Sequence, residues 1–267
     1  MTKFYLASDL HLEFGDLRIE NEDNVDCLIL AGDVVEIKQL KKDGTTKKPY
    51  IAEFFKHINS EFKQVIWIPG NHEYYGCYFM QKSINDARAW LAKNGLTNIR
   101  LCDVETVIVG DTPVHCATLW TDMNNGNEWV AYQVQNGLND YRCIRGATPA
   151  KAGSRISTKD IEIIHSKHLK FLDEATADGK DCVVVTHHQP TLRALDSRYI
   201  SDIDYAYASD LSDFFLDRPQ IKVWCSGHTH ASMRQLDVGE QRFLTNCRGY
   251  HGHEEISRFF APMLFEI

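Results

Sequence analysis

Short hydrophobic runs recur along the chain, and each of them ends in a cluster of polar residues. Runs of this length, bounded by polar clusters, are typical of buried strands. We therefore predict five strands, over residues 3–7, 25–31, 64–68, 181–185 and 221–225.

Helical periodicity fills several of the segments between these strands. Pro49 stands in the first turn of one helix, Asn94 and Gly95 end a second, and Ser157 or Thr158 caps a third. The predicted helices cover 49–60, 80–93 and 158–177. Paired strands are predicted over 106–109 with 114–119, and a hairpin over 231–247 with its turn at 238–240.

Strands that alternate with helices favour an α/β fold in which helices cover the sheet. No Pro- or Ser-rich linker interrupts the pattern, so we predict a single domain over residues 1–267. The segments 38–48 and 136–157 are long for loops, and long irregular segments in compact domains are often functional.

The composition is that of a soluble globular protein, with 43% hydrophobic and 25% charged residues. No apolar run approaches the ~18 residues of a membrane-spanning helix, and the first residues show no signal-peptide pattern. The eight cysteines form no C-x-x-C pair and mostly lie in apolar runs. We therefore expect reduced thiols, a cytoplasmic location and no membrane partner.

The charge balance bears on the partners of the protein. With 37 acidic and 29 basic residues the formal net charge is -8, whereas long nucleic acids are bound by basic faces. Nucleic acid is therefore a possible partner that the charge does not favour.

The polar clusters at the strand ends contain aspartate, histidine and asparagine. In open α/β sheets, ligands bind beyond the carboxyl ends of the strands, so these side chains would converge on one site if the strands share a sheet. The converging residues would be Asp9, His11, Asp33, Asn71, His72, His187, His188, His228 and His230.

Carboxylates and imidazoles without thiolates suit Mn, Fe, Zn, Ni or Co. Seven of these side chains would be too many ligands for one ion. If one carboxylate bridges two ions, however, seven ligands supply four contacts to each ion. Two ions about 3.5–4 Å apart form a clamp for in-line displacement at phosphorus. The residue types therefore predict two divalent metal ions.

Five segments resemble, in the same order, the sequence blocks of the calcineurin-like metallophosphoesterase family. They are Asp9-Leu10-His11, Gly32-Asp33, Gly70-Asn71-His72-Glu73, Thr186-His187-His188 and Gly227-His228-Thr229-His230. The resemblance spans residues 9–230, and it implies a four-layer α/β/β/α sandwich around two mixed β-sheets.

The resemblance also implies roles for these residues. One metal would be held by Asp9, His11, Asp33 and His230. The other would be held by Asp33, Asn71, His187 and His228, with Asp33 as the bridge.

Two histidines need separate treatment. The resemblance implies that His72 is not a ligand but faces the phosphate, where it stabilises the transition state or protonates the leaving group. The family pattern H-x-P-P aligns His187 with the ligand, but Gln189-Pro190 departs from that pattern and leaves His188 as the alternative.

The resemblance implies a metal-dependent phosphoester hydrolase in which a hydroxide between the metals attacks phosphorus. Asp33 and His72 are the predicted catalytic residues, and a small phosphodi- or monoester is the predicted substrate, with a cyclic or linear phosphodiester favoured. A DNA or RNA nuclease is one alternative, which a basic groove leading to the site would indicate. A non-catalytic scaffold is another, although every ligand position is filled.

Several residues outside the blocks are candidates for supporting roles. We predict that Arg142 binds substrate together with Asn71 and His72, with surface salt bridges as the alternative for Arg142 and Arg145. Glu73 is a candidate to hold His72 or a neighbour, and Glu36 occupies the place of a carboxylate that often follows the bridging aspartate.

Other clusters have ordinary interpretations. The lysines of segment 38–48 are expected to be a solvated loop, with steering of anionic substrates as the alternative. His165 and His168, three residues apart on a helix, are expected on a solvated helix surface, with metal binding as the alternative. Packing is the default for the aromatic residues, with a wall of the substrate pocket as the alternative for Tyr74, Tyr75, Trp120, Trp129 and Tyr250. His251 and His253 could line the cleft.

Overall fold

Eleven strands in two mixed β-sheets form the centre of the computed structural model, which describes residues 1–195, 200–231 and 234–267. The strands are β1 (Lys3–Ala7), β2 (Cys27–Ala31), β3 (Val65–Ile68), β4 (Ile99–Leu101), β5 (Glu105–Val109), β6 (Thr112–Cys116), β7 (Cys182–Val185), β8 (Ile221–Ser226), β9 (Arg234–Val238), β10 (Gln241–Thr245) and β11 (Met263–Glu266).

The first sheet has the strand order β11-β1-β2-β3-β4, with β1 to β4 parallel and β11 antiparallel at the edge. The second has the order β5-β6-β7-β8-β10-β9, in which the four inner strands are parallel and the two edge strands antiparallel. The carboxyl ends of the inner strands are therefore the places where loops can carry a shared site.

Helices lie outside the sheets and on the connections between strands. They are α1 (Pro49–Glu61), α2 (Met80–Lys93), α3 (Met123–Gly126), α4 (Glu128–Gly137), α5 (Asp140–Cys143), α6 (Thr158–Ala175) and α7 (Ser212–Leu216). None of the helices in the described ranges is both long and apolar enough to cross a membrane.

Alternation along each strand builds three hydrophobic layers, because successive side chains of a strand point to opposite faces of its sheet. In β1, Phe4 and Leu6 face the second sheet, whereas Tyr5 joins the layer under α1 and α2. In β8, Val223 faces the first sheet, whereas Trp224 packs in the layer with residues of α6 and α7. The predicted α/β/β/α sandwich is confirmed.

The element boundaries follow the sequence pattern with local differences. Helix α2 has the predicted bounds, whereas the strand predicted over 114–119 ends at Cys116, and the backbone enters the left-handed region at Leu119. Strands β4 and β11 and helix α4 were not predicted from the sequence, and 136–157 contains the short helix α5. The single domain over 1–267 stays a prediction.

Candidate metal centre

The polar clusters of both sheets meet at the carboxyl ends of the inner strands. Asp9 and His11 follow β1, Asp33 follows β2, and His187 follows β7. Asn71 and His72 follow β3, and His228 and His230 follow β8, in loops that lie against the others. The fold therefore brings these loops together, as the sequence predicted.

The first group of side chains consists of Asp9, His11 and His230, whose ligand atoms lie within 4.8 Å of one another. The Nε2 atoms of the two histidines face each other at 3.1 Å, and Nε2 of His230 lies 3.6 Å from Oδ1 of Asp9. Neutral nitrogen and carboxylate oxygen at this spacing form a set of donors that suits a divalent cation.

The second group consists of Asp33, His187 and His228, again with ligand atoms within 4.8 Å. Nε2 of His187 lies 3.5 Å from Oδ1 of Asp33 and 3.0 Å from the side-chain oxygen of Asn71. The Asn71 oxygen therefore belongs to the same set of donors.

Asp33 lies between the two groups. Its Oδ1 faces His187, while its Oδ2 lies 3.8 Å from Nε2 of His11 in the first group. Burial favours the neutral carboxyl, but the charges of His187 and His72 hold the pKa of Asp33 well below its usual range. One ionised carboxylate thus presents an oxygen to each group.

Three of the histidines are oriented by acceptors on their far side. The Nδ1 atoms of His11, His187 and His230 lie 3.1, 2.9 and 2.8 Å from Glu13, the Ala31 carbonyl and Glu254 respectively. An acceptor at Nδ1 keeps a hydrogen there, so Nε2 is the ring nitrogen that would give up its proton and offer a lone pair to a cation in the site.

With their rings oriented in this way, the histidines direct Nε2 atoms at one another and into the site, where a cation would stabilise them. With hydrogens on both Nδ1 atoms, the lone pairs of His11 and His230 point at each other across 3.1 Å. In the second group, Nε2 of His228 is buried without a hydrogen-bond partner among the described residues. An unpaired buried acceptor costs about 1–3 kcal/mol, and a bound cation removes both penalties. The donors therefore fit divalent metal ions.

The backbone at the site is strained. Five of the seven predicted ligands have positive φ, between 43° and 71°. They are Asp9, His11, Asp33, His228 and His230. Such conformations cost about 1–3 kcal/mol each and persist only where the surroundings impose them, which is common at functional sites.

His72 lies beside the two groups rather than within either. Its backbone N–H donates to Asp33 at 2.8 Å, its ring stacks on Tyr75 at 4.2 Å, and its Nε2 lies 3.5 Å from the Tyr250 hydroxyl. Burial lowers its pKa, but the charges of Asp33 and Glu13 outweigh burial and raise it to about 9. The ring is therefore a proton donor at neutral pH.

A cavity of about 510 Å³ opens above the site, and the size is that of a small-ligand pocket. Asp33, Asn71, His72, His228 and His230 line it from below, with Tyr75 and Tyr250 among its walls. Four of the seven predicted ligands therefore face a space that a small substrate can enter.

The calcineurin-like phosphoesterase family model matches residues 2–232 of the chain. The chain belongs to the calcineurin-like phosphoesterase family. It is thus a metal-dependent phosphoester hydrolase in the general sense of that family.

Individual proteins are similar to this phosphoesterase over most of its length. An uncharacterised protein of Acanthamoeba polyphaga mimivirus is 27% identical, over 93% of this chain and 91% of that protein. The phosphopantetheinyl hydrolase of Mycobacterium tuberculosis is 16% identical with a TM-score of 0.60, over 98% of this chain and 95% of the other. A dimetal phosphatase of Danio rerio is 13% identical with a TM-score of 0.52, over 91% and 86%. These two structures share the fold.

The adjacent histidines of this phosphoesterase have different surroundings. His187 presents Nε2 to Asp33 and Asn71. His188 lies behind it, with Nδ1 facing the carbonyl oxygen of Thr118 at 3.3 Å and its ring packed on Trp120. The geometry therefore favours His187 over His188 at the second group.

Glu73 does not hold His72. It is fully buried and accepts the backbone N–H groups of Asp33, Val34 and Gly70 at 2.7–2.9 Å, together with the indole N–H of Trp67. Burial, with the charge of Asp33, raises its pKa to about 8. Glu73 thus joins the loops after β2 and β3, because those buried N–H groups need an acceptor.

Three carboxylates around the site were missed from the sequence: Glu13, Asp140 and Glu254. Glu13 lies two residues beyond His11 and contacts it, whereas Glu36 bonds to Lys38 and Gln39 instead. The hydrogen bond from His11 and the His72 ring, whose Nδ1 lies 3.5 Å away, lower the pKa of Glu13 to about 2 against the effect of burial. The D-x-H-x-E spacing is the one signal that could have identified it.

The two arginines lie away from the cavity. The guanidinium of Arg142 donates to the carbonyl oxygen of Asn136 at 2.8 Å and lines a separate small cleft. That of Arg145 donates to the carbonyl oxygen of Gly153 at 3.2 Å. The structure does not bring Arg142 to Asn71 and His72, so the prediction that it binds substrate gains no support.

The remaining aromatic and histidine residues are exposed, packed in the interior or part of the cavity wall. Trp129 is exposed and stacks on Tyr132, whereas Tyr74 and Trp120 pack on each other in the interior. Tyr250 lines the cavity, unlike the exposed His251 and His253 that follow it.

The expectation of a solvated His165 and His168 is wrong. Both are buried, and their Nδ1 atoms meet the backbone carbonyl and N–H of Leu119 at 3.2 and 3.1 Å. They face inward because Leu119 leaves the strand and its backbone groups need new partners.

Proposed function

We propose that this phosphoesterase binds two divalent metal ions and hydrolyses a small phosphodi- or monoester, with a cyclic or linear phosphodiester favoured. The observation that carries the proposal is the position of Asp33, whose two oxygens face different groups of ligand atoms. A carboxylate in that position is what a pair of metals with a shared ligand requires.

The ligand assignment follows the two groups. Asp9, His11, Asp33 and His230 would hold one ion. Asp33, Asn71, His187 and His228 would hold the other. Nitrogen and oxygen donors without sulfur suit Mn, Fe, Zn, Ni or Co.

The bound ions would activate a water molecule and neutralise charge on the phosphate oxygens. The chain itself supplies the proton on the opposite side. His72 faces the cavity and stacks on the Tyr75 ring, and the nearby carboxylates of Asp33 and Glu13 raise its pKa, so in its charged form it would protonate or stabilise the departing oxygen. Asn71 lies beside it at the cavity floor, where it orients the phosphate.

The other two functions receive less support. A nuclease needs a basic surface for a long polyanion, whereas the chain carries a net charge of -8. A scaffold without metal would need a further proton between the Nε2 atoms of His11 and His230, and it would leave Nε2 of His228 buried without a partner among the described residues.

The test is metal analysis of the purified protein together with hydrolysis of bis-p-nitrophenyl phosphate. The wild type should contain about two equivalents of metal, and Asp33→Ala should lose metal from both positions and nearly all activity. Asp181→Ala, which removes a carboxylate at an exposed position, is the matched control and should retain both. Full activity in Asp33→Ala, or activity that survives complete removal of metal, would contradict the proposal.

A further inference from the structure

A second cleft, of about 700 Å³, lies between the segment Ile37–Lys42 and helix α2. Its lining is basic although the chain as a whole is acidic. The lysines that line it are Lys38, Lys41, Lys42, Lys82 and Lys93, and Asp86 is the carboxylate among the lining residues.

Two of these lysines are neutralised and three are not. Lys38 pairs with Glu36 at 2.7 Å, and Lys82 pairs with Asp86 one turn further along α2. Within residues 1–195, 200–231 and 234–267, Lys41, Lys42 and Lys93 have no carboxylate oxygen within 4.0 Å, although Lys41 and Lys93 lie near enough to the exposed Asp43 to help lower its pKa. Lys93 instead donates to the carbonyl oxygen of Lys42 at 3.1 Å. Three positive charges thus share one concave surface, which raises the local concentration of anions.

The cleft adjoins the cavity of the metal centre, and Tyr75 forms the wall between them. This residue lines both cavities, its ring stacks on His72, and its hydroxyl donates to Asp140 at 2.6 Å. A group in the basic cleft would therefore lie on the far side of Tyr75 from the ester. Tyr78, Trp90 and Leu40 add apolar surface beside the lysines.

We propose that this cleft binds a second phosphate group of the substrate, remote from the ester that is cleaved. The inference rests on the proposed function and narrows its substrate class to small phosphoesters that carry a further phosphate or diphosphate. Ammonium groups that form no ion pair are available to such an anion, and the contacts would be charge-assisted hydrogen bonds. The 700 Å³ volume is that of a small-molecule site, whereas a nucleic acid would need a basic surface that continues beyond the cleft.

The test uses inorganic pyrophosphate as the probe and protein stripped of metal with EDTA, so that the metal centre cannot bind it through metal. Titration calorimetry at low salt should show one site in the wild type. In K41Q/K42Q the dissociation constant should rise at least about tenfold, since two charge-assisted contacts are lost. The control K167Q/K170Q removes the same charge from exposed positions on α6 and should bind as the wild type does.

Two outcomes would overturn the inference: no binding by the wild type, or equal binding by K41Q/K42Q. Tighter competition by a ten-residue oligothymidylate than by pyrophosphate would also overturn it, because it would indicate a nucleic-acid site. The binding experiment involves no catalysis, so a failure of the proposed hydrolase function would be visible separately as a lack of ester hydrolysis by the metal-loaded protein.

A kinetic measurement on the metal-loaded enzyme completes the test. For esters that carry a second phosphate, K41Q/K42Q should raise KM about tenfold relative to K167Q/K170Q while kcat changes little, because the lost contacts are remote from the reacting atoms. An equal KM in both variants would contradict the proposal.

Discussion

The side-chain amide of Asn71 donates a hydrogen bond of 2.8 Å to the buried carboxylate of Asp140. Since an ionised carboxylate only accepts hydrogen bonds, the amide nitrogen must face Asp140 and the amide oxygen must face the metal centre. The oxygen accordingly lies 3.0 Å from Nε2 of His187. Asp140 thus acts through Asn71, by selecting the orientation that offers an oxygen to a cation.

Loss of this acceptor should weaken the second metal position. In Asp140→Leu the amide of Asn71 is free to turn, and we expect metal affinity there to fall about 10–100-fold, as for other residues that orient ligands. Competition with a fluorescent chelator measures the two affinities separately. Asp140→Asn is the matched control, because its carbonyl still accepts from Asn71, and it should retain most of the affinity. Equal affinities in Asp140→Leu and the wild type would show that the orientation of Asn71 does not depend on Asp140.

Replacement of His72 should separate catalysis from metal binding. His72→Ala removes a cationic ring beside the cavity but no atom of the two groups, so metal content should stay at the wild-type level while kcat falls about 10²–10⁴-fold. The loss should be larger for an alkyl ester than for a p-nitrophenyl ester, because the poorer leaving group depends more on a proton. Metal loss in this variant would mean that His72 is a ligand.

A methyl group at Gly70 should displace the bridge. A Cβ there would lie 2.3 Å from Oδ1 of Asp33 and 2.7 Å from Nε2 of His187, both shorter than any real contact. Gly70→Ala should therefore lose metal affinity and activity together, as measured by metal analysis and ester hydrolysis. Gly179→Ala is the control: it adds a methyl in open space at a position with φ of +72°, so its cost is the left-handed backbone penalty of about 1–2 kcal/mol, and the variant should keep its metals. If Gly70→Ala kept its metals, the carboxylate of Asp33 would not lie against Gly70 as the structure shows.

The features of the site that could be predicted from sequence are those that follow directly from strand ends. Asp9 and Asp33 come directly after buried strands, so their position on one edge of the fold needs only the alternation of strands and helices. The family resemblance already favoured His187 over His188, and the structure adds the physical reason, since both rings follow β7 and differ in which partner each Nδ1 meets.

The supporting carboxylates could not be predicted because tertiary packing brings them in. Glu254 comes from a turn 24 residues after His230, and Asp140 from a four-residue helix within a segment predicted as a loop. Neither Glu254 nor Asp140 stands at a helical or strand-like spacing from the residue that it contacts, so the sequence pattern does not reveal the contact. The basic cleft was missed for the same reason: Lys82 and Lys93 of α2 face Lys41 and Lys42 only because the 37–42 segment folds back onto that helix.

The buried His168 gives the fold a dependence on pH that is independent of the metals. Its Nδ1 accepts the N–H of Leu119, which requires a neutral ring, and burial lowers its pKa to about 3. The unfolded chain takes up this proton near pH 6.5, so between about pH 6.5 and 3 the unfolded state binds more protons and stability falls as the pH falls. One such group changes the free energy of unfolding by about 1.4 kcal/mol per pH unit.

The variant His168→Gln should reduce that dependence. A glutamine carbonyl can still accept from Leu119 but does not titrate, so the stability lost between pH 7 and pH 5 should be smaller than in the wild type by about 2 kcal/mol. Urea unfolding in EDTA at each pH measures the difference, and His251→Gln, at an exposed position, controls for the loss of a histidine. Because the ligand histidines are common to all three proteins, their titration cancels in the comparison. Parallel pH profiles for His168→Gln and the wild type would mean that the ring of His168 is not held neutral by the fold.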